Sequence, residues 1–202
     1  MAMSFTKNHP LRRNIEVKAR LHSLSGARDC AQRVATEYLG IQFQVDTYFV
    51  CSHGRLKMRE IEGSDAQLIW YQRADSHLPR SSDYQIFAVH NVEELKQLLA
   101  GAYGILGVVA KQREIFLQAF VRIHVDQVAE LGNFIEFEAV LSTETGEPEG
   151  RAAIRNLCRE FNIHSSSLLS TSYGDMKFLG NSKSPGIGLL SRIEGYDEER
   201  TG

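Results

Sequence analysis

The order of patterned segments predicts an antiparallel α+β fold or a closed β-barrel. Three observations carry this. Most segments alternate apolar and polar residues with the two-residue period of a strand. Successive strands are joined by short turn signals rather than by helices. Segments with helical spacing are too few to supply the crossovers of a parallel sheet.

The first strand covers about residues 13–22 and contains NIEVKARL at 14–21. Asn14, Glu16, Lys18 and Arg20 share one face; Ile15, Val17, Ala19 and Leu21 share the other. In SGARDCAQRVATEYLG, residues Ala27, Ala31, Val34, Ala35 and Tyr38 fall at helical spacing, with Ser25 placed to cap the start and Gly40 to end it. FQVDTYFV, a turn at Ser52-His53-Gly54, and RLKMREIE read as a hairpin. Gly63-Ser64-Asp65 turns the chain into AQLIWYQR. A loop with Pro79 leads to the strand SDYQIFAVH. Asn91 and Glu94 form a capping-box pattern ahead of Leu95, Leu98 and Leu99, and Gly101 and Gly104 end that helix. ILGVVAKQR, EIFLQAFVRIHVDQV and NFIEFEAVL supply three more strands. TETGEPEG is an acidic turn-rich loop, RAAIRNLCREFNI a helix with Ala153, Ile154, Leu157, Cys158 and Phe161 on one face, and SSSLLSTSY a short helix or turn before GDMKF. Beyond that, glycine, serine, proline and charge predict a flexible tail over 179–202.

The 202 residues are 43% hydrophobic, enough for a core, and the formal net charge is −2. That balance argues against nucleic-acid binding by bulk charge but leaves room for a local basic site. The three cysteines, Cys30, Cys51 and Cys158, show no CxxC spacing and suit a reducing compartment. The first residues lack the apolar run of a signal peptide, and no apolar stretch is long enough to span a bilayer. The expectation is a soluble cytoplasmic protein, monomeric or homodimeric, without nucleic-acid or membrane partners.

The polar strand faces carry the chemistry. Arg55, Lys57 and Arg59 share a face; Arg73 lies with Ile69 and Tyr71, and Lys111 and Arg113 with Val109. Arg122, His124 and Asp126 form another face, and Glu136 and Glu138 another. Any one of these suits a solvated outer surface. As a set they differ from ordinary surfaces, which mix signs, because most strands carry one kind of charge and the acids cluster in the first strand and in 126–138. Arginines fork onto phosphate oxygens, while carboxylates bind hard cations such as Mg2+ or Mn2+ that bridge to phosphate. Bases on some walls and acids on another therefore point to a metal–triphosphate site. Of the histidines only His124 is placed in this set, in a hydrogen-bonding role. Tyr48, Trp70 and Tyr71 read as wall or core residues, and Asp46 as a cross-strand or turn residue.

These pieces resemble the CYTH superfamily, the triphosphate tunnel metalloenzymes, and within it the class IV adenylyl cyclase (CyaB-like) group. NIEVKARL stands for the ExExK-type strand, followed in order by DTYF with GRLKMR, LIWYQR, VVAKQR, RIHVDQVAELGNFIEFE and SYGD. The resemblance implies one domain over 11–178: an eight-stranded antiparallel β-barrel, open at both ends, with helices packed outside. It implies Glu16, Glu136 and Glu138 as metal ligands for Mg2+ or Mn2+, with Asp126 beside them, and these glutamates with Lys111 as catalytic groups. It implies Lys18, Lys57, Arg59, Lys111 and Arg113 as triphosphate-holding bases, with Arg20, Arg55, Arg73 and Arg122 as further lining. One departure stands out: the first glutamate of ExExK is Asn14 here, a weaker, neutral ligand that puts one metal position in doubt.

The leading expectation is a metal-dependent hydrolase of inorganic triphosphate or of a nucleoside or other organic triphosphate. The alternative is a cyclase converting ATP to cyclic AMP and pyrophosphate. No adenine-reading signature is visible, so hydrolysis needs fewer assumptions. A non-catalytic triphosphate or polyphosphate binder, motivated by Asn14, is the third reading.

Overall fold

The computed structural model describes residues 11–76 and 78–179. Of the tail expected over 179–202, Leu179 ends a π-helical turn and the remainder lies outside the described residues. Eight strands close into an antiparallel barrel in the order β1-β5-β4-β3-β2-β6-β7-β8. They are β1 (Arg12–Arg20), β2 (Glu37–Phe49), β3 (Arg55–Ile61), β4 (Ala66–Arg73), β5 (Arg80–Val89), β6 (Ile105–Gln118), β7 (Val121–Val128) and β8 (Gly132–Val140). Among the described residues three α-helices lie outside: α1 (Leu24–Val34), α2 (Val92–Tyr103) and α3 (Glu147–Glu160). Among the described residues no helix is long and apolar enough to cross a membrane.

Two-residue alternation decides which side chains enter the lumen. In β1 the apolar set Ile15, Val17 and Ala19 points outward and packs with Ile123 and Val125 of β7 and Ile135 and Phe137 of β8. Ala27 and Ala31 of α1, with Ile154 and Leu157 of α3, cover that face. Burying it fixes the register, because a one-residue slip would send the charged set into the helices. Leu95 and Leu99 of α2 similarly cover Phe49, Met58, Ala66 and Val89.

Several boundaries differ from expectation, each for a local reason. Helix α1 is capped by Ser23, whose hydroxyl accepts from Gly26 N–H, rather than by Ser25. It ends at Val34 because Thr36 N–H already donates to Leu117 in β6. Gly40 therefore does not terminate a helix; it sits at φ +93° in a bulge of the β2–β6 ladder. Strand β6 runs through Gln118 instead of stopping at Arg113, and the chain reverses at Ala119, a non-glycine residue at φ 53° that gives no turn signal in sequence. Helix α3 begins within the acidic loop at Glu147, with Pro148 in its first turn. Strand β5 begins at Arg80, two residues earlier than the pattern suggested.

After α3, a 3-10 turn at Ser165–Ser167 and a π-helical turn at Asp175–Leu179 carry the chain across one end of the barrel. Tyr173, Leu169, Met176 and Phe178 pack there against Tyr48, Val109, Val128 and Phe134. Phe178 lies so close over Gly107 that any β-carbon would overlap its ring. The expected double opening is thus narrowed at this end, while the other, where β1 and β2 begin and β3 and β5 end, is the broad mouth.

Candidate active site: a polarised tunnel

The barrel encloses a cavity of about 450 Å3, a volume suited to a small-molecule ligand. Its lining includes seven basic residues, Arg12, Lys18, Lys57, Arg59, Arg73, Arg113 and Arg122, against three acids, Glu16, Glu136 and Glu138. This excess of four positive charges stands out in a chain whose net charge is −2.

The three acids share one wall. Glu16 of β1 lies opposite Glu138 of β8, and Lys18 opposite Glu136. Each acid leans on a base. Glu16 is 3.1 Å from Arg73 and 3.3 Å from Arg80. Glu136 is 2.7 Å from Lys18, 2.8 Å from Arg113 and 3.3 Å from His124. Glu138 is 3.3 Å from Arg122 and accepts from the Asn14 amide. Burial, opposed by Arg73 and reinforced by the charges of Glu136 and Glu138, pushes Glu16 up to about 7. Glu136 experiences the same burial, but Lys18 and Arg113 hold it well below the usual carboxylate range. Burial, with Arg113, lowers His124.

The basic wall is organised around a residue that sequence reasoning set aside. Asp46 of β2 is fully buried and accepts from Lys57 at 3.0 Å, from Lys111 at 2.7 Å, and bidentately from Arg59 at 2.7 and 3.0 Å. It shares a cross-strand position with Arg59 in the β2–β3 hairpin, a pairing visible only once the register is known. Arg80 is the second residue missed. The sequence pattern places it in the loop after Pro79, although it keeps the inward phase of Ser82 and Tyr84.

Glu16, Glu136, Glu138, Lys18, Lys57, Arg59, Arg73, Arg113 and Arg122 therefore meet in one cavity. Four expected site residues do not line it. Arg20 is exposed, donates to the Leu131 carbonyl and lies over the Phe134 ring. Lys111 is enclosed behind the wall against Asp46. Asp126 is fully buried, with both oxygens accepting from Arg113, at 2.7 and 2.6 Å, and one also accepting from Tyr173 at 2.6 Å. Arg55, at the narrowed end, is paired with Asp175 and Asp75.

A family model described as the CYTH domain matches residues 12–173. The chain belongs to the CYTH domain family. No curated protein sequence matches it. Among solved structures, this CYTH chain is similar to the PH1012 protein of Pyrococcus horikoshii OT3, with a TM-score of 0.72 at 22% identity over 80% of this chain and 98% of that one. It is similar to a candidate adenylate cyclase from Vibrio parahaemolyticus, with a TM-score of 0.66 at 18% identity over 83% and 97%. It is also similar to a candidate adenylyl cyclase from Hippeastrum, described as having a dominant triphosphatase activity, with a TM-score of 0.59 at 13% identity over 85% and 98%. At these identities the likeness is one of fold.

The CYTH tunnel of this chain can be tested for a divalent cation by its donor set. Among the described residues no three acidic, histidine or cysteine side chains converge tightly enough to hold a metal ion as they stand, because each glutamate is drawn onto a base. The donors are nevertheless hard oxygens of the kind Mg2+ and Mn2+ take. Asn14 Oδ1, on the same wall, is buried with no hydrogen-bond partner. An unpartnered buried oxygen is costly unless something fills it. A polyanion that drew Lys18, Arg73 and Arg113 onto itself would free the carboxylates, so the residues fit a cation bound together with phosphate.

Proposed function

We propose that this protein is a divalent-metal-dependent hydrolase of a triphosphate-containing substrate bound in the barrel. One observation carries the reading. The cavity is lined by bases on most walls, in excess of its acids, and those acids are confined to the β1–β8 wall. A plain anion site has no use for three glutamates, and a plain cation site has no use for seven bases.

Phosphoryl transfer asks a protein mainly for positioning and electrostatic stabilisation. Lys57 and Arg59 on one side, with Lys18, Arg73 and Arg113 nearer the acids, hold the phosphates and offset their charge. Arg122, at the mouth, helps draw the polyanion in. Glu16, Glu136 and Glu138, with the Asn14 carbonyl, would hold Mg2+ or Mn2+. When bound, that cation would polarise a phosphate oxygen and lower the pKa of an attacking water. The neutral Asn14 in place of a carboxylate makes this a weaker cation site than three glutamates and a fourth acid would provide.

Parallel assays of phosphate release and cyclic AMP test the reading, using inorganic triphosphate, ATP and thiamine triphosphate, each with Mg2+ and with Mn2+. Hydrolysis predicts metal-dependent phosphate release without cyclic AMP. Cyclic AMP with pyrophosphate from ATP would replace hydrolysis by cyclisation. Tight binding without turnover under either metal would leave a binder.

A further inference from the structure

Among the described residues Asp46 gathers the most cations of any carboxylate in the barrel, and it stands apart from the acid wall and the proposed cation ligands. Its carboxylate receives three cations from two strands: Lys57 and Arg59 from β3 and Lys111 from β6. These differ in reach. Lys57 and Arg59 line the cavity, whereas the Lys111 side chain has no exposed surface and lies outside the lining. Two of the five Arg59 N–H donors and one of the three on Lys57 go to Asp46, so both groups keep donors for a further anion. An arginine held bidentately along one edge presents its other edge in a fixed direction, as forked phosphate recognition requires.

On the reading of the tunnel as a triphosphate site, we propose that Asp46 is a positioning residue. It supplies the counter-charge that keeps Lys57 and Arg59 aimed at the substrate, and it is itself neutralised by Lys111, which does not touch substrate. The charge arithmetic supports this. Three buried cations without Asp46 would repel one another at close range in a low-dielectric wall, and the lysines would escape by losing protons. Substrate that draws on Lys57 and Arg59 leaves Asp46 with one full partner, Lys111, so the carboxylate is never buried unpaired. Burial and Arg59 already lower Lys57 to about 8 even with Asp46 pulling the other way, and burial takes Lys111 well below its ordinary value. The groups facing Lys57 are Asp46 and the Tyr48 ring from β2, Arg59 on its own strand, the Tyr71 ring from β4, and Lys111 and Arg113 from β6. Asp46 is the one acid among them.

The test is the affinity for inorganic triphosphate by calorimetry from pH 6 to pH 9.5, with kcat and KM alongside, for wild type, Asp46→Asn and Asp46→Asn/Lys57→Arg. Wild-type affinity should fall on the alkaline side as Lys57 loses its proton. In Asp46→Asn that fall should move to lower pH by roughly 1–3 units, the size of a close opposite charge's effect. Adding Lys57→Arg should abolish the fall, because a guanidinium stays protonated. A folded Asp46→Asn protein with the fall at its wild-type pH and an unchanged KM would overturn the proposal while leaving the proposed function standing. Failure of wild type to bind triphosphate at any pH would instead remove the functional reading. Should Asp46→Asn not fold, Asp46→Asn/Lys111→Met removes one of the repelling cations with the carboxylate and carries the same comparison.

Discussion

Replacing Asp126 by asparagine separates the cation-binding place that the family resemblance gives this residue from the structural role that its contacts give it. As a metal ligand, Asp126 would be needed for cation binding. In the structure it is fully buried and three donors occupy its oxygens: Arg113 Nε, Arg113 Nη2 and the Tyr173 hydroxyl. It therefore fixes Arg113 in the wall and ties Tyr173, and with it the segment across the narrowed end, to the barrel. Breaking a buried pair typically costs about 3–5 kcal/mol, mostly from the charge left behind. Arg113 keeps Glu136 at 2.8 Å in the variant, so the lower end, about 3 kcal/mol, applies. For a chain of this length each kcal/mol corresponds to roughly 2–4 °C, which gives a fall in melting temperature of about 6–12 °C. Thermal melting by circular dichroism and a Mn2+ titration on the same preparation read the two roles separately. The expected result is the lowered melting temperature with Mn2+ affinity within about twofold of wild type. A melting temperature unchanged to about 2 °C together with a tenfold loss of Mn2+ affinity would instead make Asp126 a cation ligand.

Three other outcomes are expected. Lys57 has a folded value of about 8, below the roughly 10.4 of an unfolded lysine. The unfolded state thus binds more protons between those values, and the ligand-free protein should gain stability as pH rises through that window. Triphosphate affinity should fall over the same range, and Lys57→Arg should flatten both profiles by removing the titration. Glu138→Gln removes a proposed cation ligand and the mouth-side pair with the half-exposed Arg122, while its amide oxygen can still accept from the Asn14 amide. It should abolish metal-dependent phosphate release with a melting temperature near wild type, whereas retained release would exclude Glu138 from the cation site. Asn14→Glu places a carboxylate where the unpartnered amide oxygen now lies. Mn2+ affinity should rise by tenfold or more, and an unchanged affinity would mean that position 14 does not face the cation.

Much of the barrel was legible because alternation is a local property. NIEVKARL announces both its faces, and burial of Ile15, Val17 and Ala19 under α1 and α3 leaves Glu16 and Lys18 only the lumen. Cross-strand relations were not legible. Asp46 reads as an isolated acid until the β2–β3 register sets it beside Arg59. Asp126 shares a face with Arg122 and His124, yet the β6–β7 register pairs it with Arg113 and spends its oxygens there. Arg20 keeps the phase of Glu16 and Lys18, but β1 ends at that residue and its side chain turns to the Leu131 carbonyl. The reversal at Ala119 has no glycine, proline or asparagine to mark it, so the long reach of β6 appeared only in the fold.

On the proposed function, one lumen takes a triphosphate on its bases and a divalent cation on its acids, each aiding the other. The most direct measurement is calorimetric titration of the full chain with inorganic triphosphate, with and without Mg2+. The expected result is one site per chain, an affinity that weakens as salt is raised, and tighter binding in the presence of Mg2+. Triphosphate binding that Mg2+ leaves unchanged, or no binding in either condition, would contradict it.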